Sequence, residues 1–455
     1  MKSHNRLPAA GLCLLIGCAL LAGCSRSNSE SRSIIMAAPP ASTYRAEEDA
    51  DSAENAPVPE DPAPSWQVAS RNLGSVYTGT EAGCYTLLNH TDGSAELVFF
   101  DYEALTMSTP LRDEAAQNGA TGSLPGIYGG ATLAWADGLY LFNQRSTDGL
   151  MAGLGEEAQA SVLRVDSEKG ITASAVLPMN LSIRQSGIVL GDGGAHLYFI
   201  AEDNAPEEGV QDVLIELDCA AMEYAELYRF DIGYEHTIEG YWENGPLICA
   251  TTALPATDDP SFNDIWSNRA YILYKHGLYS GSREVVMSWS QGLPTNVHNN
   301  MLYYFQPEDG NLYAQNADTG EAGVLASGLA PEDYIVAQIQ PMLDGLVRLQ
   351  FSTNQGRTIF NYTINPDTSE VGQPSTKDLG DNVSVLAEAP AFFLVRSGDK
   401  WVNKDLVDQS GSIPGTVGGT SGNFVSLPEY ALIAKADYWA GNRQFTPVSD
   451  LIYGD

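Results

Sequence analysis

The residues whose order most plainly specifies a chemistry lie near the N-terminus. Leu21-Ala22-Gly23-Cys24 places an aliphatic residue three positions before a cysteine and small residues between, the pattern of a lipobox. The chemistry it serves is thioether formation between the Cys24 sulfur and a diacylglycerol, and cysteine is required because only a thiol is nucleophilic enough. Leu15-Ile16-Gly17-Cys18 fits the same pattern, but the chain stays apolar after Cys18 and turns polar at Ser25. Cys24 is therefore the expected attachment site. Upstream, Lys2 and Arg6 make a positive start and residues 7–23 an apolar run too short to span a bilayer comfortably, as in an export signal. Residues 1–23 read as a lipoprotein signal peptide.

Catalytic signatures are otherwise sparse. The chain contains no HExxH, GxSxG, GxGxxG or GxxxxGK[ST]. His90, His196, His236, His276 and His298 stand far apart, and a satisfied strand or turn histidine is the default reading of each. Ser397-Gly-Asp-Lys-Trp401 partly matches the SxDxGxxW turn of sialidase-like propellers, but lacks the later Gly and the spacing to Trp. Among 58 Asp and Glu residues, no pair stands out as the acid and base of a glycosidase. Glu308-Asp-Gly310 and Asn365-Pro-Asp-Thr-Ser-Glu370 lack the alternating oxygen ligands of a calcium loop. No cofactor is expected; calcium is the ion these acidic turns would attract most readily.

These groups need elements to hold them, and composition says which kind. Residues 24–65 are rich in Ser, Ala, Pro, Asp and Glu and read as an acidic, disordered tether. The body is assigned to residues 66–455. With 23 Lys and Arg against 58 Asp and Glu, the chain carries a net charge of −35, which repels phosphate backbones and excludes nucleic acid as a partner. Cys84, Cys219 and Cys249 are too few and too scattered for a disulfide framework or a CxxC metal site, and are expected as free, buried thiols.

A loosely repeated block runs through the body. An apolar strand recurs as Gly83-Cys-Tyr-Thr-Leu87, Gly138-Leu-Tyr-Leu-Phe142, His196-Leu-Tyr-Phe-Ile200, Gly245-Pro-Leu-Ile-Cys249, Met301-Leu-Tyr-Tyr-Phe305, Gly345-Leu-Val-Arg-Leu349 and Ala391-Phe-Phe-Leu-Val395. Their central residues stand 44 to 58 apart. A second strand follows each and ends in turn chemistry: Asp101, Asp166, Asp218, Asn316 and Asn365, with His276 in the fourth copy and the weaker Trp401-Val-Asn-Lys-Asp405 in the seventh. A third strand then returns, and the alternation has period 2 almost throughout. About four short strands per 40–60 residues describes a β-propeller blade, apolar on both faces and stable only when packed in a closed ring. The fold class is therefore all-β: a propeller of seven four-stranded blades, with C-terminal strands helping to close it. Six or eight blades remain as alternatives, the eighth drawn from Asn423-Phe-Val-Ser-Leu427 and Tyr430-Ala-Leu-Ile-Ala434, and a pair of β-sandwiches is the competing architecture.

Lipobox, acidic spacer and YxF-type blades, with the closing stretches Tyr430–Trp439 and Phe445–Val448, together resemble propeller-type surface lipoproteins of Gram-positive bacteria. The resemblance implies a propeller held at the extracytoplasmic face of the cell membrane, and it carries no functional residues with it.

The turn after the aromatic strand is short in copies one, five, six and seven but long in two, three and four. Consecutive insertions on one face would form a raised arc bearing Phe262 and Trp266 among Asp258, Asp259, Asp264, Glu207 and Glu208. Aromatic rings among carboxylates suit a cationic peptide or a sugar stacked on Trp. The first functional reading is a lipid-anchored module that binds a protein, peptide or envelope glycan. The second is a propeller glycoside hydrolase or lyase.

Overall fold

In a computed structural model the described residues run from 66 to 450, without 71–76, 90–94, 110–130, 144–158, 167–169, 185, 207–208, 254–268, 291–292, 333, 353–357, 381–382, 404–419 and 422–423. They form seven antiparallel sheets in a ring, a seven-bladed β-propeller. The blades occupy 77–108, 132–176, 181–229, 235–290, 295–326, 336–372 and 384–447. Each repeated aromatic or branched residue (Tyr85, Tyr140, Tyr198, Ile248, Tyr303, Val347, Phe393) falls on the strand that pairs with the first strand of its own blade, which in blade three is split into Leu181–Ile183 and Ile188–Gly191.

Seven apolar clusters hold the ring, and each one spans two adjacent blades. Blades one and two share Leu87, Leu97, Leu133 and Leu141; blades seven and one share Phe100, Met107, Leu394 and Leu432. Aromatic pairs cross several of these seams. Phe142 meets Phe199 edge to face at 5.2 Å, Phe305 meets Phe351 at 5.2 Å, and Phe100 meets Tyr430 at 4.9 Å. Such pairs contribute about 0.5–1.5 kcal/mol each beyond the area they bury. Blade backbones also approach closely: a Cβ on Gly187 would stand 2.3 Å from the Ile238 carbonyl oxygen of the next blade, so only glycine fits.

The acidic turn residues act as the sequence suggests. At the end of the third strand, Asp101, Asp218, Asn316 and Asn365 each accept two backbone N–H bonds through Oδ1, at 2.8–3.1 Å. Four residues later the chain is left-handed, at Leu105, Met222, Gly320 and Ser369 (φ 53° to 74°). The side-chain cap stabilises this turn even where the left-handed residue carries a Cβ. In blade four the turn slips by one residue to Gly277–Gly281, and His276 stays inside the strand, fully buried.

Two strands fasten the ends. Gln67–Ser70 pairs antiparallel with Ile188–Gly191 and so adds a strand to the edge of blade three. Ser449–Asp450 pairs in parallel with the outermost strand of blade one at Thr106 and Met107, latching the end of blade seven to it. The C-terminal strands thus help close the ring, as expected.

Blade seven departs from the sequence reading. Its second strand runs without interruption from Phe392 to Asn403, so Trp401 belongs to it and Ser397-Gly-Asp-Lys-Trp401 is no turn. A bulge between Arg396 and Gly398 passes the strand through, braced by the Arg396–Asp399 ion pair. The third strand is Phe424–Ala434, the stretch read as a candidate eighth copy. The connection between those two strands therefore lies beyond Asn403, and blade seven does not have the short turn assigned to it.

Candidate functional site

The expected site sits on the connections between second and third strands, and their roots are well placed. In blades two, three and four the pairs Asn143–Ser161, Asp203–Gln211 and Ala253–Arg269 close the ladders at the same end of three consecutive blades. Glu207, Glu208, Asp258, Asp259, Phe262, Asp264 and Trp266 lie outside the described residues, as does Cys24. What the structure does describe is the ground from which the arc would rise.

That ground is a buried ionic cluster between blades three and four. Asp212, the second residue of its strand, has a side chain only 1 % exposed. It accepts from Arg184 at 3.0 Å, from the His236 backbone N–H at 2.6 Å, and pairs with His236 Nδ1 at 3.1 Å. Arg184 reaches Glu202 at 2.8 Å from the same guanidinium. His236 begins blade four and stacks on Phe230 at 4.2 Å, and Ser186 Oγ accepts from the Ile238 N–H at 2.7 Å. A guanidinium in a break of one blade, a carboxylate in the next strands and a histidine of the following blade are thereby locked together. Breaking a pair of this kind by removing one partner costs about 3–5 kcal/mol, because the other charge is left buried.

The flanks are fastened in the same way. Asp203, at the end of its strand, is buried and bonded to Arg229 (2.6 Å), Asn180 (2.8 Å) and the Ala205 N–H (2.9 Å), which hold its carboxyl below its usual range despite burial. It is a brace for the loop and not a ligand-facing carboxylate of the arc. Arg269 pairs with Glu235 at 2.9 Å where the long connection of blade four returns.

An Asp–His pair is the orienting half of a nucleophile-activating triad. Here His236 is 1 % exposed, and burial pushes its pKa down while Asp212 pulls it up. Seated against Phe230 and shut off from solvent, it acts as a strut, the satisfied histidine its type suggests. Glu202 differs: burial pushes its carboxyl up, Arg184 opposes this, and Asp212 and Glu235 add to it. It is the most exposed member of the cluster, 30 % on the side chain against 17 % for Arg184. Sequence reasoning missed this cluster because its members are scattered over 53 positions in three strands and a break. The available signal was Arg184 and Asp212 as charges within otherwise apolar strand runs.

Among the described residues no three His, Cys, Asp or Glu side chains come together as metal ligands. Cys84, Cys219 and Cys249 are free and buried. Burial pushes the Cys84 thiol up to about 12, and pushes Cys219 and Cys249 up as well.

No family model matches the chain, and no curated protein does. Solved propellers do. The β-propeller domain of the Trilobed protease from Pyrococcus furiosus, described as having an open velcro topology, is 11 % identical with a TM-score of 0.43, over 83 % of this chain and 95 % of that one. Acylaminoacyl peptidase from Pyrococcus horikoshii is 11 % identical with a TM-score of 0.42, over 84 % of this chain. The chain spans about half of that peptidase, 53 %. Oligogalacturonate lyase from Vibrio parahaemolyticus is 9 % identical with a TM-score of 0.40, over 67 % and 78 %.

Proposed function

We propose that this protein is a lipid-anchored binding module. Cys24 holds it at the extracytoplasmic face of the membrane, residues 24–65 set the propeller off from the bilayer, and the arc on blades two to four receives a protein, peptide or envelope glycan. The observation that carries this reading is the Arg184–Asp212–His236–Glu202 cluster, which fixes the root of the long connection of blade three against the first strand of blade four. Recognition loops work best on a scaffold that does not yield, since ordering them on binding costs affinity. A rigid base under long loops that carry Trp266 and Phe262 answers that need.

The second reading, a glycoside hydrolase or lyase, has Glu202 in its favour: burial pushes its carboxyl up against the pull of Arg184, the direction a general acid requires.

Both readings are tested on one glycan, peptidoglycan and peptide array, with products followed in the same wells. Capture without turnover, lost when the three connections are trimmed, supports the module. Turnover abolished by Glu202→Gln supports the enzyme. Capture unchanged by trimming sinks the arc. Metabolic labelling with a lipid precursor checks the anchor: Cys24→Ala should lose the label, and a labelled Cys24→Ala protein would move the anchor to Cys18.

A further inference from the structure

Beside the apolar cluster of Leu343, Phe393, Val395 and Ile433, the seam between blades six and seven holds a polar stretch. On blade six, Val347, Leu349 and Phe351 pack toward blade five. The alternate residues of the same strand, Arg348 and Gln350, face the other way. Across the ladder Arg348 lies beside Gln340 and Gln350 beside Asn361. Together with Thr376 and the Trp439 ring they line a cavity of about 140 Å³. A water needs roughly 10–15 Å³ of such space, so the cavity has room for a small organic molecule.

Arg348 is the unusual wall. Its Nε donates to the Pro341 carbonyl at 2.9 Å, and no carboxylate among the described residues lies within ion-pair distance of it. In a chain with 58 acidic residues this isolation needs a cause, and the neighbouring contacts supply one. The nearby carboxylates, Asp344 and Glu388, are held by Lys435 at 2.8 and 2.7 Å, and Asp344 also accepts from Trp439 Nε1 at 3.0 Å. Burial pushes the Arg348 pKa down, against the pull of Tyr438 and Glu388. Leaving a guanidinium so placed is costly to the fold unless something pairs with it. The two terminal nitrogens form a planar fork that matches a carboxylate. Gln340 and Gln350, bonded to each other at 3.1 Å, offer donors and acceptors of the kind that hydroxyls need.

We propose that this cavity binds a small hydroxylated carboxylate of monosaccharide size, clamped by the Arg348 guanidinium and read by the Gln340, Gln350 and Asn361 amides. The third position of its strand places Arg348 toward the end of the ring opposite the arc, so this site is independent of the one proposed above.

The test is calorimetric titration of the full chain with D-glucuronate, with D-glucose as the neutral match and inorganic phosphate as a second anion. Glucuronate is expected to bind, with glucose and phosphate at least about tenfold weaker, since a hydrogen bond to a charged group contributes about 1.5–3 kcal/mol. Arg348→Gln should weaken glucuronate at least about tenfold while the melting temperature in the absence of ligand is no lower than that of wild type. Equal binding of glucose or phosphate, no binding of glucuronate, or undiminished affinity in Arg348→Gln overturns the assignment. Should Arg348→Gln fail to fold, Asn361→Ala decides: several-fold weaker glucuronate binding supports the site and unchanged binding removes it. Capture on the arc should be unaffected by either variant, which separates failure here from failure there.

Discussion

Acid should destabilise this propeller through one histidine. His276 is fully buried at the blade three–four seam, and neither ring nitrogen has a hydrogen-bond partner among the described residues. Tyr228 lies 4.8 Å away, Phe230 5.5 Å and Tyr274 6.3 Å, ring to ring. Burial first, then the Arg283 charge and His236, push its pKa down to about 4. A histidine with a depressed folded pKa binds fewer protons when folded than when unfolded. Its contribution is whole above the unfolded value near 6.5 and is lost as pH falls from there toward the folded value. Between an unfolded pKa of about 6.5 and a folded one of about 4, the loss is about 2 kcal/mol at pH 5 and about 2.5 kcal/mol at pH 4.5. His276→Phe isolates this effect: whatever the new ring does to packing is the same at every pH, whereas the proton is gone. Urea unfolding followed by tryptophan fluorescence at pH 7.5 and pH 5 gives the two differences. Wild type should lose about 2 kcal/mol more than His276→Phe across that interval. Equal losses in the two proteins would refute the reasoning and place the acid sensitivity elsewhere.

Asp212→Ala should cost about 3 kcal/mol or more in the same urea assay, with Arg184→Met recovering part of it in the double variant; a cost below about 1 kcal/mol would mean the cluster is solvated. Asp218→Ala and Asn316→Ala each remove a turn cap and should cost about 1 kcal/mol, adding in the double variant because the turns stand in separate blades. The three buried thiols should resist iodoacetamide in native buffer at pH 8 and react fully in 6 M guanidinium, and rapid native labelling would contradict their burial.

Periodicity made the architecture legible in advance. Blade number and the strand holding Tyr85 through Phe393 are local properties repeated seven times, the Asp or Asn cap recurs at Asp101, Asp218, Asn316 and Asn365, and repetition averages out weak signals. The same logic explains where the sequence misled. In blade seven Gly398 and Asp399 carry turn chemistry, yet the strand continues through them, because pairing with Phe424–Ala434 along its whole length outweighs the local preference. The eighth copy dissolved for the same reason. Fourth-blade His276 broke the repeat visibly, and the structure shows why: its turn begins one residue later, leaving the side chain in the seam.

The sequence by itself determined the all-β repeat, the acidic surface, the free thiols and the residues suited to an anchor and an arc. Tertiary structure alone decided which charges meet. Arg184, Glu202, Asp212 and His236 converge because a propeller sets the ends of neighbouring blades a few ångströms apart, however far separated they are in the chain. Arg348 stands unpaired because Lys435 has taken the carboxylates that ring closure brings near. Strand alternation can be read residue by residue; the pairing of charges across a seam depends on the registers of two blades at once, and no local pattern encodes that.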